Sequence, residues 1–217
     1  MFMDTIVQLP IFLKGLLVTI GVSVPGFLLG LLVGLMLLLM ARAPFAPLRW
    51  FAATYVSFIR GTPLLVQIFF VYYALPGLTG VNIPAFVAGF LSLSFNSGAF
   101  VTEIFRGGLS SLPQGQWEAA DALGLSRSTT WRRVILPQLF IRVLPPLTNE
   151  FTMLVKASPL LSVITVVELT RSAQLVMLQT YMPVEAYLVA AALYFVVLTS
   201  MSHVTRRVES WSERSRA

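Results

Sequence analysis

The chain has 217 residues and a net charge of +6, yet only 11% of it is charged and 57% is hydrophobic. Ordinary soluble domains carry roughly 25% charged residues, so this composition excludes a water-soluble fold. It has no cysteine and a single histidine, His203, which excludes disulfides and thiolate metal sites and leaves little for a zinc or hydrolytic centre.

Long stretches lack any charge, among them Gly15 to Met40 and Gly61 to Thr102. About 20 apolar residues suffice for a helix to cross a bilayer, so the expected class is an all-α, polytopic membrane protein. The opening MFMDTIVQLP is acidic rather than basic, and the apolar run behind it exceeds a signal-peptide core, so no cleavable signal is expected. The first candidate span is Ile11 to Met40, followed by Arg42 and Arg49. A second runs from about Trp50 to Leu75, where Arg60-Gly61-Thr62-Pro63 reads as a helix break with a snorkelling arginine. The prolines and glycines of "YYALPGLTGVNIP" mark a turn, and Pro84 suits the first turn of a third span ending near Arg106. A fourth span, 140–168, is expected to be interrupted by Pro145, Pro146 and Pro159, with Glu150 and Lys156 inside it. Ala186 to Thr205 makes the fifth, and "RRVESWSERSRA" reads as a solvated basic tail.

About five spans place the termini on opposite sides. Arg42, Arg49, Arg106, Arg127, Arg132, Arg133, Arg206, Arg207, Arg214 and Arg216 fall in the 1–2 loop, the 3–4 loop and the tail, against Lys14 and Arg171 on the other side. Cytoplasmic loops carry the excess of cations, so the N-terminus is expected outside and the C-terminus in the cytoplasm. The positive charge then reports topology rather than nucleic acid.

The most polar stretch, "EAADALGLSRSTTWRRVILPQ", has two readings. Helix, Gly124 and an arginine-rich second helix is the outline of a helix-turn-helix DNA reader. That reader needs a third helix and a core of its own, and the connection between spans three and four, about 30 residues, is too short to supply them. Its second helix also runs into Val134-Ile135-Leu136-Pro137, towards the membrane. In the other reading, Gln116 to Leu123 is a short helix with Ala119, Ala120 and Leu123 on one side. Glu118 in its first turn suits the helix dipole, Gly124 is a natural residue past its end, and Ser126 a natural N-cap for the next turn. Such a unit can grip a protein partner, or serve simply as a solvated connector.

Glu118-Ala119-Ala120, three residues, Gly124, nine residues, Val134, one residue and Leu136-Pro137 resembles the EAA loop of ABC importer permeases, where Ile is usual at the position of Val134. "FIRGTPLLVQIFFVYYALP", "FVTEIFRGGLSSLPQGQWEAA" and "LVKASPLLSVITVVELTRSAQ" resemble successive blocks of the polar amino acid permeases in that superfamily. Together they cover about Thr19 to Thr205. The resemblance implies a type I importer permease fold in a bacterial inner membrane, with residues 1–217 as one transmembrane permease domain and a cytoplasmic coupling loop at about 107–137. It implies a coupling role for Glu118, Ala119, Ala120, Gly124, Leu125, Leu136 and Pro137. The implied partners are a cytoplasmic ATPase dimer, a second permease subunit (identical or homologous), a periplasmic solute-binding protein and membrane lipid, but no nucleic acid. No phosphate loop G-x-x-x-x-G-K-[ST] occurs in the chain. The subunit is therefore expected to be no enzyme, to have no catalytic or metal site and to bind no cofactor, with ATP used by the partner.

Polar residues inside a membrane are functional candidates. Asn96 and Ser97 read either as lining of a translocation path or as polar glue between close-packed helices. Glu150, Lys156 and Ser158 are further path candidates. Glu103 and Arg106, three apart, share a helix face and read as an ion pair. Ala157 and Pro159 depart from the family pattern of a small polar or acidic residue followed by Ser, Ser or Thr, and Leu. An alanine at 157 removes a carboxylate that could hold a cationic substrate. Glu168 is expected near the outer surface, solvated or touching a delivery protein, and His203 has no evident partner. An opine or other small polar solute is an alternative cargo. A nucleotide-independent channel and a membrane-tethered DNA-binding regulator are the alternatives of other classes.

Overall fold

The computed structural model describes residues 8–214, and every regular element among them is helical. The acidic opening up to Val7 and the last three residues, Arg216 included, lie outside the described residues. Helix α1 (Leu9–Ala41) has 33 residues, or about 50 Å at the α-helical rise, longer than the ~30 Å hydrocarbon core. It lies against α5 (Ala85–Ser110), and small residues set their distance. A Cβ placed on Gly34 would stand 2.5 Å from Val101 Cγ1 and 2.9 Å from the Gly98 carbonyl. Thr102 Oγ1 donates across the seam to the Gly34 carbonyl at 3.2 Å. Close backbone approach with a hydroxyl bridge is how helices associate where lipid removes the hydrophobic drive.

The second span breaks at Thr62-Pro63, within the Arg60-Gly61-Thr62-Pro63 stretch where a helix break was expected. Helix α2 (Ala46–Gly61) ends at Thr62, held extended at φ −118° and ψ 145°, because the ring of the following Pro63 disfavours the helical region. The chain then turns by 109° into α3 (Leu64–Phe69), a π-helical turn Phe70–Ala74 and α4 (Leu75–Thr79). The Gln67 amide secures the bend, donating to Ile59 O at 2.8 Å and Thr62 O at 3.2 Å. Those carbonyls stand at the end of α2, where the chain leaves its helical course.

The loop after α5 carries α6 (Gly115–Ala122). A helical turn Arg127–Thr129 and a π-helical turn Thr130–Ile135 lead into α7 (Leu136–Ala157). Pro145 and Pro146 do not interrupt this helix. The break comes after Ala157, where Ser158–Ile164 tightens to a 3-10 helix and Thr165 adopts φ 67°. Helix α8 (Leu169–Thr180) follows, bent 47° from the preceding run. The expected basic tail is likewise not free. Helix α9 (Pro183–Arg214) continues through it, and Ser212, 1% exposed, donates its hydroxyl to Ile141 O at 2.7 Å.

Among the described residues three helices are long and apolar enough to cross a membrane, and five spans result if each bent pair counts as one. That agrees with the expected number; breaks in the second and fourth spans were expected, and the correction is that Pro145 and Pro146 leave α7 intact.

Candidate functional site

Two regions carry the polar chemistry: a short helix unit at one end of the molecule and an open cavity between α5 and α7. The short unit is built by local sequence. Leu123 caps α6 and Gly124 follows at φ 65°, a left-handed conformation that costs glycine nothing. Leu125 N donates to Ala120 O at 3.0 Å and Gly124 N to Asp121 O at 2.9 Å, the paired bonds of a Schellman ending. Ser126 Oγ then accepts from Thr129 N at 3.3 Å as the next N-cap. The unit is anchored from behind by an edge-to-face pair of Trp117 and Trp131 with centroids 5.5 Å apart. Gln138 Nε2 of α7 also donates to Gln116 Oε1 of α6 at 2.9 Å.

Glu118, Ala119 and Leu123 are exposed, Leu123 at 77%. Ala120 is 2% exposed and turns inward, so the expected common face of Ala119, Ala120 and Leu123 splits. The reason is tertiary: α6 packs against the π-helical turn Thr130–Ile135, and its Trp117 lies on the core of Leu112, Ile135 and Leu139. Leu136 and Pro137 are exposed and Leu125 half-buried. That core is shared with α5 and α7, so the helix pair has no independent domain to hold it as a DNA reader requires.

Asn96, Phe100, Glu150, Met153 and Ala157 line a cavity of ≈ 260 Å³ together with Leu64, Leu93 and Leu154. Asn96 Nδ2 donates to Gln67 Oε1 at 3.0 Å. It therefore lines the cavity and also ties α5 to the bend between α2 and α3. Ser97, 1% exposed, lies behind the wall beside Glu150. A second concavity of ≈ 330 Å³ shares Phe100 and Glu150 and continues past Arg60, Glu103, Pro146 and Asn149. There Glu103 is bracketed: Arg60 Nη1 stands 3.2 Å from Oε2 and Arg106 Nε donates to Oε1 at 2.9 Å. The expected Glu103–Arg106 pair is thus a triad, with Arg60 also 5.6 Å from the centre of the Phe100 ring.

Two path candidates stand elsewhere. Lys156 is exposed and not on the cavity wall. Ser158 is fully buried beside Tyr194. Glu168 corrects its expectation outright, being fully buried. Its carboxylate accepts from Thr170 N at 2.8 Å, Arg171 N at 2.7 Å and Tyr194 OH at 2.8 Å, capping α8 and tying it to α9. His203 Nδ1 has a partner, Thr199 O at 2.7 Å. Gln67 and Tyr194 were not singled out by the sequence, since a lone glutamine or tyrosine in an apolar run carries no motif.

Apolar spans, a largely apolar cavity between them that carries Asn96 and Glu150, and a short helix unit at one end fit a membrane permease subunit. The chain belongs to the family of binding-protein-dependent transport system inner membrane components, whose sequence profile matches residues 26–212. It is thus a multi-pass transport component of the inner membrane and not an enzyme. It is 38% identical over 196 residues to a Rickettsia bellii protein named for glutamine transport (GlnP), covering 90% of each chain. It is 36% identical to the arginine transport system permease protein ArtQ of Bacillus subtilis, covering 96% of this chain and 95% of the relative. The L-cystine transport system permease protein TcyB of the same organism is 37% identical, over 94% of this chain and 88% of its own length. Among solved structures, an amino acid ABC transporter crystallised with histidines superposes with a TM-score of 0.92 at 38% identity, covering 97% of this chain and 98% of the other. The MetNI methionine transporter, at 18% identity and a TM-score of 0.69, shares the fold.

Proposed function

We propose that this chain is the membrane-spanning subunit of an ATP-driven importer of polar amino acids, working as a pair and driven by a separate cytoplasmic ATPase. The observation that carries the reading is the 38% identity and TM-score of 0.92, over nearly the whole chain, to an amino acid ABC transporter. The N-terminus faces outward and the α6 unit inward, where the ATPase is. Glu118, Ala119 and Leu123 form the docking surface, Gly124 and Leu125 its ending, Ala120 its inward anchor, and Leu136-Pro137 the start of the helix that carries its movement. Residues 1–217 act as one permease domain. ATP is bound and used by the partner, and this subunit holds no cofactor. A periplasmic binding protein delivers the cargo.

Glutamine, arginine and L-cystine, for which relatives are named, all carry α-amino and α-carboxylate groups. Asn96 and Glu150 supply complementary polar groups in the cavity, with Ser97 in support. Alanine at 157 takes away one carboxylate that could hold a cationic side chain, which weakens a lysine or arginine cargo without excluding it, since Glu150 lines the same cavity. Lys156 is exposed one turn from the cavity residue Met153. A charge there is expensive against lipid, which supports a second permease copy or an aqueous path beside it.

The test is a pull-down from detergent-solubilised membranes, wild type against Glu118→Lys. Recovery of a P-loop ATPase that is lost in the mutant supports the reading, and a co-purifying permease sets the dimer type. Recovery of no ATPase in either sample overturns it in favour of a nucleotide-independent channel.

A further inference from the structure

In an α-helix the Ile141 carbonyl accepts from the amide of residue 145. Here residue 145 is Pro145 and the next is Pro146, so neither the i+4 nor the i+5 position has an N–H to give. The missing donor arrives from 71 residues away: Ser212 Oγ donates to Ile141 O at 2.7 Å, from a side chain 1% exposed. A buried carbonyl left unpaired is costly, and a weakened bond ladder at a proline pair is where a helix bends.

The location gives this bond its significance. Before Pro145, α7 runs back through the π-helical turn to Ser126 and is fastened to α6 by Gln138 and Gln116. Beyond it, Glu150, Met153 and Ala157 line the cavity. The proline pair therefore lies between the docking unit and the path.

We infer that Ser212 is a positioning residue that latches this hinge, so that movement of the α6 unit reaches the cavity half of α7 rather than being absorbed at Pro145-Pro146. The inference rests on the importer reading and gives the end of α9 a role in coupling. Replacing Pro145 restores the missing amide, which makes the hydroxyl of Ser212 redundant.

The experiment is a double-mutant cycle in the ATPase complex, reconstituted in liposomes with its binding protein. Uptake of labelled L-glutamine and L-arginine per ATP hydrolysed is read for wild type, Ser212→Ala, Pro145→Ala and the double variant. Ser212→Ala is expected to lower the ratio by about fivefold, the effect of one hydrogen bond. On the Pro145→Ala background the same change should have no effect. An unchanged ratio in Ser212→Ala, or an equal loss on both backgrounds, overturns the latch. If Ser212→Ala does not assemble, assembly itself is the readout: recovery in the double variant supports the latch and failure to recover overturns it. Glu118→Lys run in parallel separates the two ideas, because a complex indifferent to that change contradicts the importer coupling itself.

Discussion

At the residue scale, two helix ends rest on single residues, Glu168 and Gly124. Glu168 sits with no exposure in a membrane protein, which is tolerable because two backbone amides and the Tyr194 hydroxyl surround its carboxylate. Burying such a group without partners would be costly. Glu168→Ala removes the N-cap of α8 and its tie to α9 together, and should lower stability by about 2–3 kcal/mol. Tyr194→Phe leaves both amides in place and should cost only about 1 kcal/mol. Thermal melts of the detergent-solubilised protein check the order, and a Glu168→Ala midpoint equal to wild type would show the cap to be dispensable. Gly124 is the other case. At φ 65° an alanine is strained by about 1 kcal/mol, and the Schellman bonds that fix α6 weaken. Gly124→Ala should retain membrane insertion and reduce ATPase capture in the pull-down, whereas Gly115→Ala, with open space around it, should not.

At the scale of elements, what the sequence disclosed depended on how local the cause was. The α6 unit was legible because glycine, the serine cap and the polar face all act within a few residues. The break at Thr62-Pro63 was legible for the same reason, but its 109° turn depends on Gln67 reaching back to Ile59. Ala120 was misplaced on the docking face because only the tertiary core decides which side of a short helix turns inward. The tail read as solvated from its charges, and Arg206, Arg207, Glu209, Glu213 and Arg214 are exposed. Its helical course and the bond from Ser212 to Ile141 were not legible, because no local pattern connects the two residues. Glu168 was missed as a helix start because glutamate is not among the favoured N-caps. The α1–α5 pair offers a direct test of close packing. Gly34→Ala forces a methyl against Val101 and the Gly98 carbonyl, whereas Gly21→Ala meets nothing within 4 Å. Gly34→Ala should cost about 1–3 kcal/mol as overpacking and depress the yield of monodisperse protein in size-exclusion chromatography. Gly21→Ala should leave it unchanged, and equal yields would mean that the seam relaxes freely.

At the scale of the whole molecule, the distribution of charge decides which way the chain threads the membrane. With five spans the α4–α5 connection and the α6–α7 connection lie on opposite sides, and arginines crowd the second: Arg127, Arg132 and Arg133 stand there, while the segment Pro76–Pro84 has no charge. The cation bias argues for the arginine side in the cytoplasm, the side on which the proposed ATPase would dock. The chain contains no cysteine, so single cysteines report accessibility without background. Leu78 is 76% exposed and Ser128 is also exposed, so both sites can react once a reagent reaches their side. In spheroplasts, a membrane-impermeant maleimide should label Leu78→Cys directly and Ser128→Cys only after the membrane is opened. The reverse pattern would put α6 outside, away from any ATP, and coupling through Glu118 would then be physically impossible. Labelling of both sites in sealed spheroplasts would mean that α5, the candidate span between them, does not cross the membrane, and the five-span arrangement would fail.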